Sequence, residues 1–307
     1  MLHKSTDDND VSVCANCGKE GANNTCNKCK KVKYCNAICK KVHKKKHKKD
    51  CEEHQRRVAE LHDKELFKEP PLLHEDCPIC FLRMPTLETG HIYYTCCGKV
   101  ICDGCCQAPL YDNQGNEVDN KKCPYCRAPW SYTEEKEVQR LKKRVELDDP
   151  IAIYNIGIHY RDGEYGFKQD YIKALELFHR AGEIGYAKAY INIGYAYEHS
   201  KGVEVDPKKA NHYYELAAIG GDAQARNNLG IMEEIAGNVD RAVKHYMIAV
   251  RGGYTSSLSN IRDLYSDGHA TKDDYTKALR LHQEYLSEVK SDQRDKAAAV
   301  DERNRYY

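Results

Sequence analysis

Sixteen cysteines lie between residues 14 and 126, and none follows. Most come in Cys-x2-Cys or Cys-x3-Cys pairs, three or four residues apart. A Cys-x2-Cys step curls the chain into a tight turn that aims both thiolates at one point, and such pairs hold tetrahedral zinc at roughly 2.3 Å. The first group is Cys14-x2-Cys17, Cys26-x2-Cys29, Cys35-x3-Cys39 and His47-x3-Cys51. Eight ligands in four pairs call for two zinc ions. The last two pairs are spaced four apart, which puts both ligands of a pair on one helix face.

The second group runs from Cys77 to Cys126: Cys77-Pro78-Ile79-Cys80, the adjacent Cys96-Cys97, Cys102-x2-Cys105-Cys106 and Cys123-Pro124-Tyr125-Cys126-Arg127. It supplies ligands for two more closed sites. Neighbouring residues of an extended chain point to opposite sides, so Cys96 and Cys97 can share an ion only across a tight bend, with Cys106 or His91 as substitutes. Disulfides would suit a secreted chain. The N-terminus, Met-Leu-His-Lys-Ser-Thr-Asp-Asp, lacks the apolar segment of an export signal. Zinc, about four ions at two per group, is the cofactor expected.

Residues 14–51, with the Tyr34-Cys35 step and the lysine-rich approach to His47, resemble a MYND finger. The resemblance implies an interleaved pair of sites: Cys14, Cys17, Cys35 and Cys39 on one ion, Cys26, Cys29, His47 and Cys51 on the other. It also implies binding of short proline-containing peptides, although Lys44 stands where the family has an aromatic. His43 reads as a solvated helix residue. The run from Lys40 to Lys49 reads as a solvated helix face carrying His47, ahead of a nuclear-localisation or phosphate-binding patch.

Residues 77–130 are similar to an all-cysteine RING finger. That likeness implies one ion on Cys77, Cys80, Cys102 and Cys105, and another on Cys96, Cys97, Cys123 and Cys126. RING fingers carry no nucleophile; they hold a ubiquitin-conjugating enzyme and its thioester-linked ubiquitin in a reactive pose, so catalysis is positioning. Ile79, Pro124 and Arg127 occupy the family's enzyme-contact places. An aromatic expected between the sixth and seventh ligands is missing, with Leu110 and Tyr111 nearest to it, and Trp130 is expected to pack on the finger.

These ligands must be set among helices. With 48 basic and 47 acidic residues in 307, no global field draws the chain to nucleic acid or membrane. No uncharged run reaches the ~18 residues of a membrane helix. Residues 52–69, with Val58, Leu61, Leu66 and Phe67 at mixed three-to-five spacing, suit a short amphipathic helix, stopped by Pro70-Pro71, and Glu134–Leu147 form a charged helix. Beyond residue 149 one unit repeats four times: Asn155-Ile-Gly157 returns at 192–194, as Asn228-Leu-Gly230 and as Asn260-Ile-Arg262, while Lys-Ala or Arg-Ala steps end at Ala174, Ala210, Ala242 and Ala278. Helix pairs are predicted at 150–161 with 171–184, 187–199 with 208–219, 223–236 with 239–250, and 255–266 with 275–286. Gly185, Gly220 and Gly252 are expected as left-handed caps. The mid-helix glycines are expected at close helix approaches, and the asparagine column in hydrogen bonds within the stack. With the Gly-Val-x2-Asp loop at 202–206, the pattern resembles Sel-1-like repeats, relatives of the tetratricopeptide repeat; such solenoids bind peptides or proteins.

The expected fold is therefore multi-domain: two small zinc-stabilised fingers with little regular structure, then an all-α helical-repeat solenoid. Its segments are a disordered stretch 1–13, the fingers at 14–51 and 77–130, helical linkers at 52–76 and 131–148, repeats over 149–286, and a cap and frayed tail at 287–307. The expected function is protein interaction, as a RING-type ubiquitin ligase recruiting substrate through the first finger or the repeats; the alternative is a non-enzymatic zinc-finger adaptor. Partners are proteins, including a ubiquitin-conjugating enzyme, and the expected location is intracellular, cytoplasm or nucleus.

Overall fold

The computed structural model describes residues 12–71, 76–86, 89–111, 114–118, 121–130, 133–301 and 304. The chain divides into two units, Met1–Leu66 and Phe67–Tyr307. In the first, β1 (Asn24–Thr25) pairs antiparallel with β2 (Lys33–Tyr34), and α1 (Ala37–Leu66) follows. Cys14, Ala22 and Tyr34 form its small buried core.

The separate amphipathic helix expected over 52–69 does not exist as such. With neither glycine nor proline between residues 37 and 66, the helix that carries the last ligands runs on unbroken for 30 residues. Of Val58, Leu61, Leu66 and Phe67, expected on an apolar stripe, the first two are 51% and 59% exposed, Leu66 is fully buried and Phe67 half-buried. Pairs spaced four apart, Lys48–Glu52 and Arg56–Glu60, line its surface and add a few tenths of a kcal/mol each, on the order of 0.3.

The second unit opens with the second finger. β3 (His91–Tyr94) and β4 (Lys99–Cys102) form an antiparallel hairpin, followed by the short α2 (Asp103–Gln107) and a second hairpin of β5 (Leu110–Tyr111) and β6 (Glu117–Val118). After α3 (Glu134–Glu146) come the repeat helices α4 (Pro150–Asp162), α5 (Tyr171–Glu183), α6 (Lys188–His199), α7 (Pro207–Ile219), α8 (Ala223–Ile235), α9 (Val239–Arg251), α10 (Thr255–Ser266) and α11 (Lys272–Val289). Each helix packs on the next. No helix among the described residues is long and apolar enough to cross a membrane.

Local chemistry sets these boundaries. Asp149, Asp170, Asp206 and Asp222 accept hydrogen bonds from the first backbone amides of α4, α5, α7 and α8, a stabilisation of about 1 kcal/mol at each N-cap. Thr271 and Asp274 form a reciprocal capping box at the start of α11. The mid-helix glycines admit aromatic rings from the partner helix: a Cβ on Gly157 would stand 2.7 Å from Phe178, one on Gly194 2.7 Å from Tyr214, and one on Gly230 would collide with Tyr246. Ala174, Ala210, Ala242 and Ala278 are buried opposite.

Two of the three expected caps are displaced by one residue. Gly220 and Gly252 have φ of −76°; the left-handed positions are their successors Gly221 and Gly253. Gly220 and Gly252 are instead constrained by space, since a Cβ there would press on Ala187 and Ala223, at the start of the first helix of the same repeat. Gly185 is left-handed as expected. The asparagines bond within the stack at two places, Asn192 with Tyr154 and Arg161, and Asn260 with Asn227.

The expected tail is also structured. α11 extends to Val289, and after a break at Lys290 comes α12 (Asp292–Val300), whose Arg294 and Ala297 are buried. α12 packs on α2 of the second finger.

Candidate metal centres

All sixteen ligand residues come together in four groups. Cys14, Cys17, Cys35 and Cys39 form one, and Cys26, Cys29, His47 and Cys51 the next. Cys77, Cys80, Cys102 and Cys105 form the third, and Cys96, Cys97, Cys123 and Cys126 the fourth; within each, the ligand atoms lie within 4.8 Å of one another. In chain order the pairs alternate between two sites in each finger, so both fingers are cross-braced.

The spacing fits a tetrahedral ion. Metal–sulfur bonds of about 2.3 Å give a tetrahedron with edges of roughly 3.8 Å. Sulfur–sulfur separations are 3.6 Å for Cys17 and Cys35, 3.9 Å for Cys26 and Cys51, 3.7 Å for Cys80 and Cys102, and 3.8 Å for Cys97 and Cys123. Cys29 Sγ lies 3.2 Å from His47 Nε2, a shorter edge as a shorter metal–nitrogen bond requires. The donor set is thiolate and imidazole only, which suits zinc.

The knuckles share one backbone device. In each Cys-x2-Cys turn of strict spacing outside α2, the amide after the second cysteine donates to the carbonyl of the first: Gly18 to Cys14, Lys30 to Cys26, Phe81 to Cys77 and Arg127 to Cys123, at 2.8–3.0 Å. All four donors have φ between 53° and 74°. Only Gly18 adopts that left-handed backbone without strain, so Lys30, Phe81 and Arg127 are held there by the turn.

The adjacent pair Cys96-Cys97 lies in the turn between β3 and β4 rather than in a strand. Cys97 and Gly98 both donate to the Tyr94 carbonyl, and Gly98 has φ of 70°. That bend brings both sulfurs to Cys123 and Cys126, with Cys126 Sγ 3.4 Å from Cys96 Sγ. Neither suggested substitute joins the group. Cys106 is buried against Ile101, and His91 begins β3.

The thiols press on one another electrostatically. Burial, partly offset by the Lys99 amide and reinforced by Cys123, pushes Cys97 up to about 11. Hydrogen bonding with Cys39, together with burial, pushes Cys35 up to about 12. A bound dication reverses that tendency, because coordinated thiols deprotonate outright.

Supporting groups lie around the ligands. His43 is not simply solvated: its Nδ1 is 3.2 Å from the Tyr34 hydroxyl and its ring stacks on His47. Lys40, at the head of the basic run, bonds to Asn24, Thr25 and Asn27, so it pins the helix to the hairpin while Lys44 stands exposed.

Of the three candidate enzyme contacts, Ile79 is 37% exposed, Pro124 is half-buried and Arg127 exposed. Trp130 is 42% exposed and lines a groove with Ile92, Tyr94, Pro129 and Arg140, where close packing was expected. The side chains of Leu110 and Tyr111 lie outside the described residues.

The second finger is built into the repeats. The Tyr93 hydroxyl bonds to Asp149, which also pairs with Arg144 at 2.9 Å. At the other end Thr86 bonds to the Gly252 carbonyl and its amide donates to the Tyr285 hydroxyl, while Arg83 pairs with Glu288. Phe67 packs on His245 of α9, under Arg241. The repeats themselves present a groove of about 450 Å³ lined by Tyr154, Asn192, Tyr195 and Asn228 among others.

Comparisons with known proteins agree with this layout. Residues 14–51 match the MYND finger family, and residues 150–186, 187–222 and 258–284 match the Sel1 repeat. The unmatched third pair, α8 and α9, is joined by the short turn Ala236–Asn238 in place of the longer loops of the first two. Over 115 residues the chain is 31% identical to the ERAD-associated E3 ubiquitin-protein ligase component HRD3B of Arabidopsis thaliana; that stretch is 36% of this chain and 18% of the relative. Two solved structures are similar: a Sel1 repeat protein from Oxalobacter formigenes (29% identity, TM-score 0.44, 50% of this chain and 64% of that one) and the protective antigen c5321 of uropathogenic Escherichia coli (28%, TM-score 0.42, 53% and 36%). The chain thus carries a MYND finger at residues 14–51 and Sel1 repeats in its helical half.

Proposed function

We propose that this protein is a zinc-dependent scaffold of ubiquitin ligation: residues 77–130 act as a RING-type finger that docks a ubiquitin-conjugating enzyme, and the MYND finger and Sel1 repeats bring the substrate. The observation that carries this reading is the cross-braced pair of four-cysteine sites with Ile79 and Arg127 exposed on its first and last knuckles. The chemistry asked of the protein is positioning. Ile79 offers an apolar contact, Pro124 shapes the last knuckle, and Arg127 brings donors whose direction is set by its constrained backbone. Fixing two reactants in one geometry lowers a barrier without any nucleophile from the scaffold. The repeat groove with Tyr154, Asn192, Tyr195 and Asn228 suits an extended peptide, whose amides meet the asparagines while its side chains rest on the tyrosines.

The full chain, loaded with zinc, is to be assayed with ubiquitin, activating enzyme and a panel of conjugating enzymes. Chain formation that falls at least tenfold with Ile79→Ala and Arg127→Ala combined is the expected result; tenfold corresponds to about 1.4 kcal/mol. No activity with any conjugating enzyme, or activity indifferent to the double substitution, overturns the reading. The second reading, a non-enzymatic subunit, is favoured by one observation: the Arabidopsis relative is named a component of a ligase. It predicts co-purification with protein partners and no conjugating enzyme among them.

A further inference from the structure

In sequence α12 is a charged segment at the end of the chain. In the fold its Arg294 is 1% exposed. One guanidinium nitrogen donates to the Val289 carbonyl at 2.6 Å and to the Arg83 carbonyl at 2.8 Å. The other donates to the Leu82 carbonyl at 3.4 Å and lies 3.9 Å from Cys80 Sγ. The helix sits directly on Gly104, between the ligands Cys102 and Cys105: a Cβ there would stand 2.8 Å from the Arg294 amide and 2.9 Å from its Cγ. Two separated parts of the chain, residues 80–104 and 289–294, thus meet around one buried cation.

A buried charge is costly unless it is paired and hydrogen-bonded. Four thiolates around one zinc dication leave a double negative charge, and Arg294 is the cation against that site. We propose that Arg294 is a positioning residue for the Cys77, Cys80, Cys102 and Cys105 site, and that zinc occupancy there and docking of α12 are thermodynamically coupled. The coupling is reciprocal: zinc holds the C-terminal helix down, and the helix slows zinc loss. The inference rests on the zinc reading above and is independent of ligase activity.

The test uses the full-length zinc-loaded chain and reads zinc release to a chromophoric chelator together with hydrogen exchange over residues 291–300. In the unaltered protein, stripping zinc should abolish protection of α12 while α4 to α7 stay protected. Arg294→Gln, which keeps a donor but not the charge, should release one ion of the four at least about tenfold faster, the low end of the effect of groups behind metal ligands. Arg294→Lys should restore much of the retention. Gly104→Ala, which leaves Arg294 intact but pushes the helix away, should also speed release of that one ion. Equal protection of α12 with and without zinc, or equal release rates for the Gln and Lys variants, overturns the proposal. A chain that carries no zinc when isolated overturns the zinc reading along with it, a result read before any variant is made.

Discussion

The Tyr93 hydroxyl donates to the Asp149 carboxylate across 2.7 Å, so the β-hairpin of the second finger is bonded to the residue that caps the first repeat helix. Burial and then the bond to Asp149 hold the Tyr93 phenol above its ordinary range, and it remains a donor at every physiological pH. The same carboxylate pairs with Arg144 of α3. Finger, connecting helix and repeat array therefore share one charged hub. Tyr93→Phe is expected to cost about 1.5 to 3 kcal/mol, the usual worth of a hydrogen bond to a charged group. Asp149→Ala should cost more, because it also strips the α4 cap. Urea unfolding of zinc-loaded protein, followed by helix signal, checks the order of the two.

A glycine-to-alanine change inside a helix ordinarily gains about 1 kcal/mol of helix propensity. At Gly230 the sign should reverse. The added methyl would drive into the Tyr246 ring, which is fully buried and bonded to Glu234. Overpacking of this kind costs about 1 to 3 kcal/mol. Thermal melts of Gly230→Ala should fall below those of the parent, whereas a rise would show that the ring has room to yield.

Zinc affinity should fall as pH falls. Cys97 and Cys35, pushed up to about 11 and about 12 from an ordinary value of 9.0, hold their protons near neutrality when metal-free, and loading must expel them. Competition with a chelator between about pH 6 and 8 should show affinity dropping with each step toward acid. A flat profile would mean the ligands are not titrating thiols.

Chelation should divide the molecule. Structural zinc contributes on the order of 10–16 kcal/mol to such small folds, and the described cores of the fingers are small, with ligands packed beside Ala22 and Tyr34 in one and beside Met84, Tyr94 and Ile101 in the other. The core of the first two repeats, by contrast, contains Ile153, Phe178, Ile193 and alanines and no metal ligand. Helix signal from the repeats should survive stripping while finger amides exchange freely. Loss of both together would show that the array depends on the second finger.

Much of this was legible in the sequence because ligand spacing and repeat period are local, countable signals. Cys-x2-Cys steps and the glycines at 157, 194 and 230 each report on a few neighbouring residues. What escaped was set by contacts far apart in the chain. The Cys96-Cys97 pair looked cramped because the hairpin turn ending at Gly98 depends on the β3–β4 pairing. α12 looked like a tail because its burial comes from residues some two hundred positions earlier. The glycine caps were misplaced by one because Gly220 and Gly252 answer to crowding from Ala187 and Ala223, at the far end of their own repeat. α1 was split in two because its outer half packs on little within its own unit, so the periodicity of Val58 and Leu61 marked no buried face.

The most direct measurement is native mass spectrometry of the full-length chain purified without added metal or oxidant, read alongside thiol titration. Four zinc ions bound with all sixteen cysteines reduced is the result the account predicts. Folded protein that carries no metal, with its cysteines joined in pairs, would contradict it.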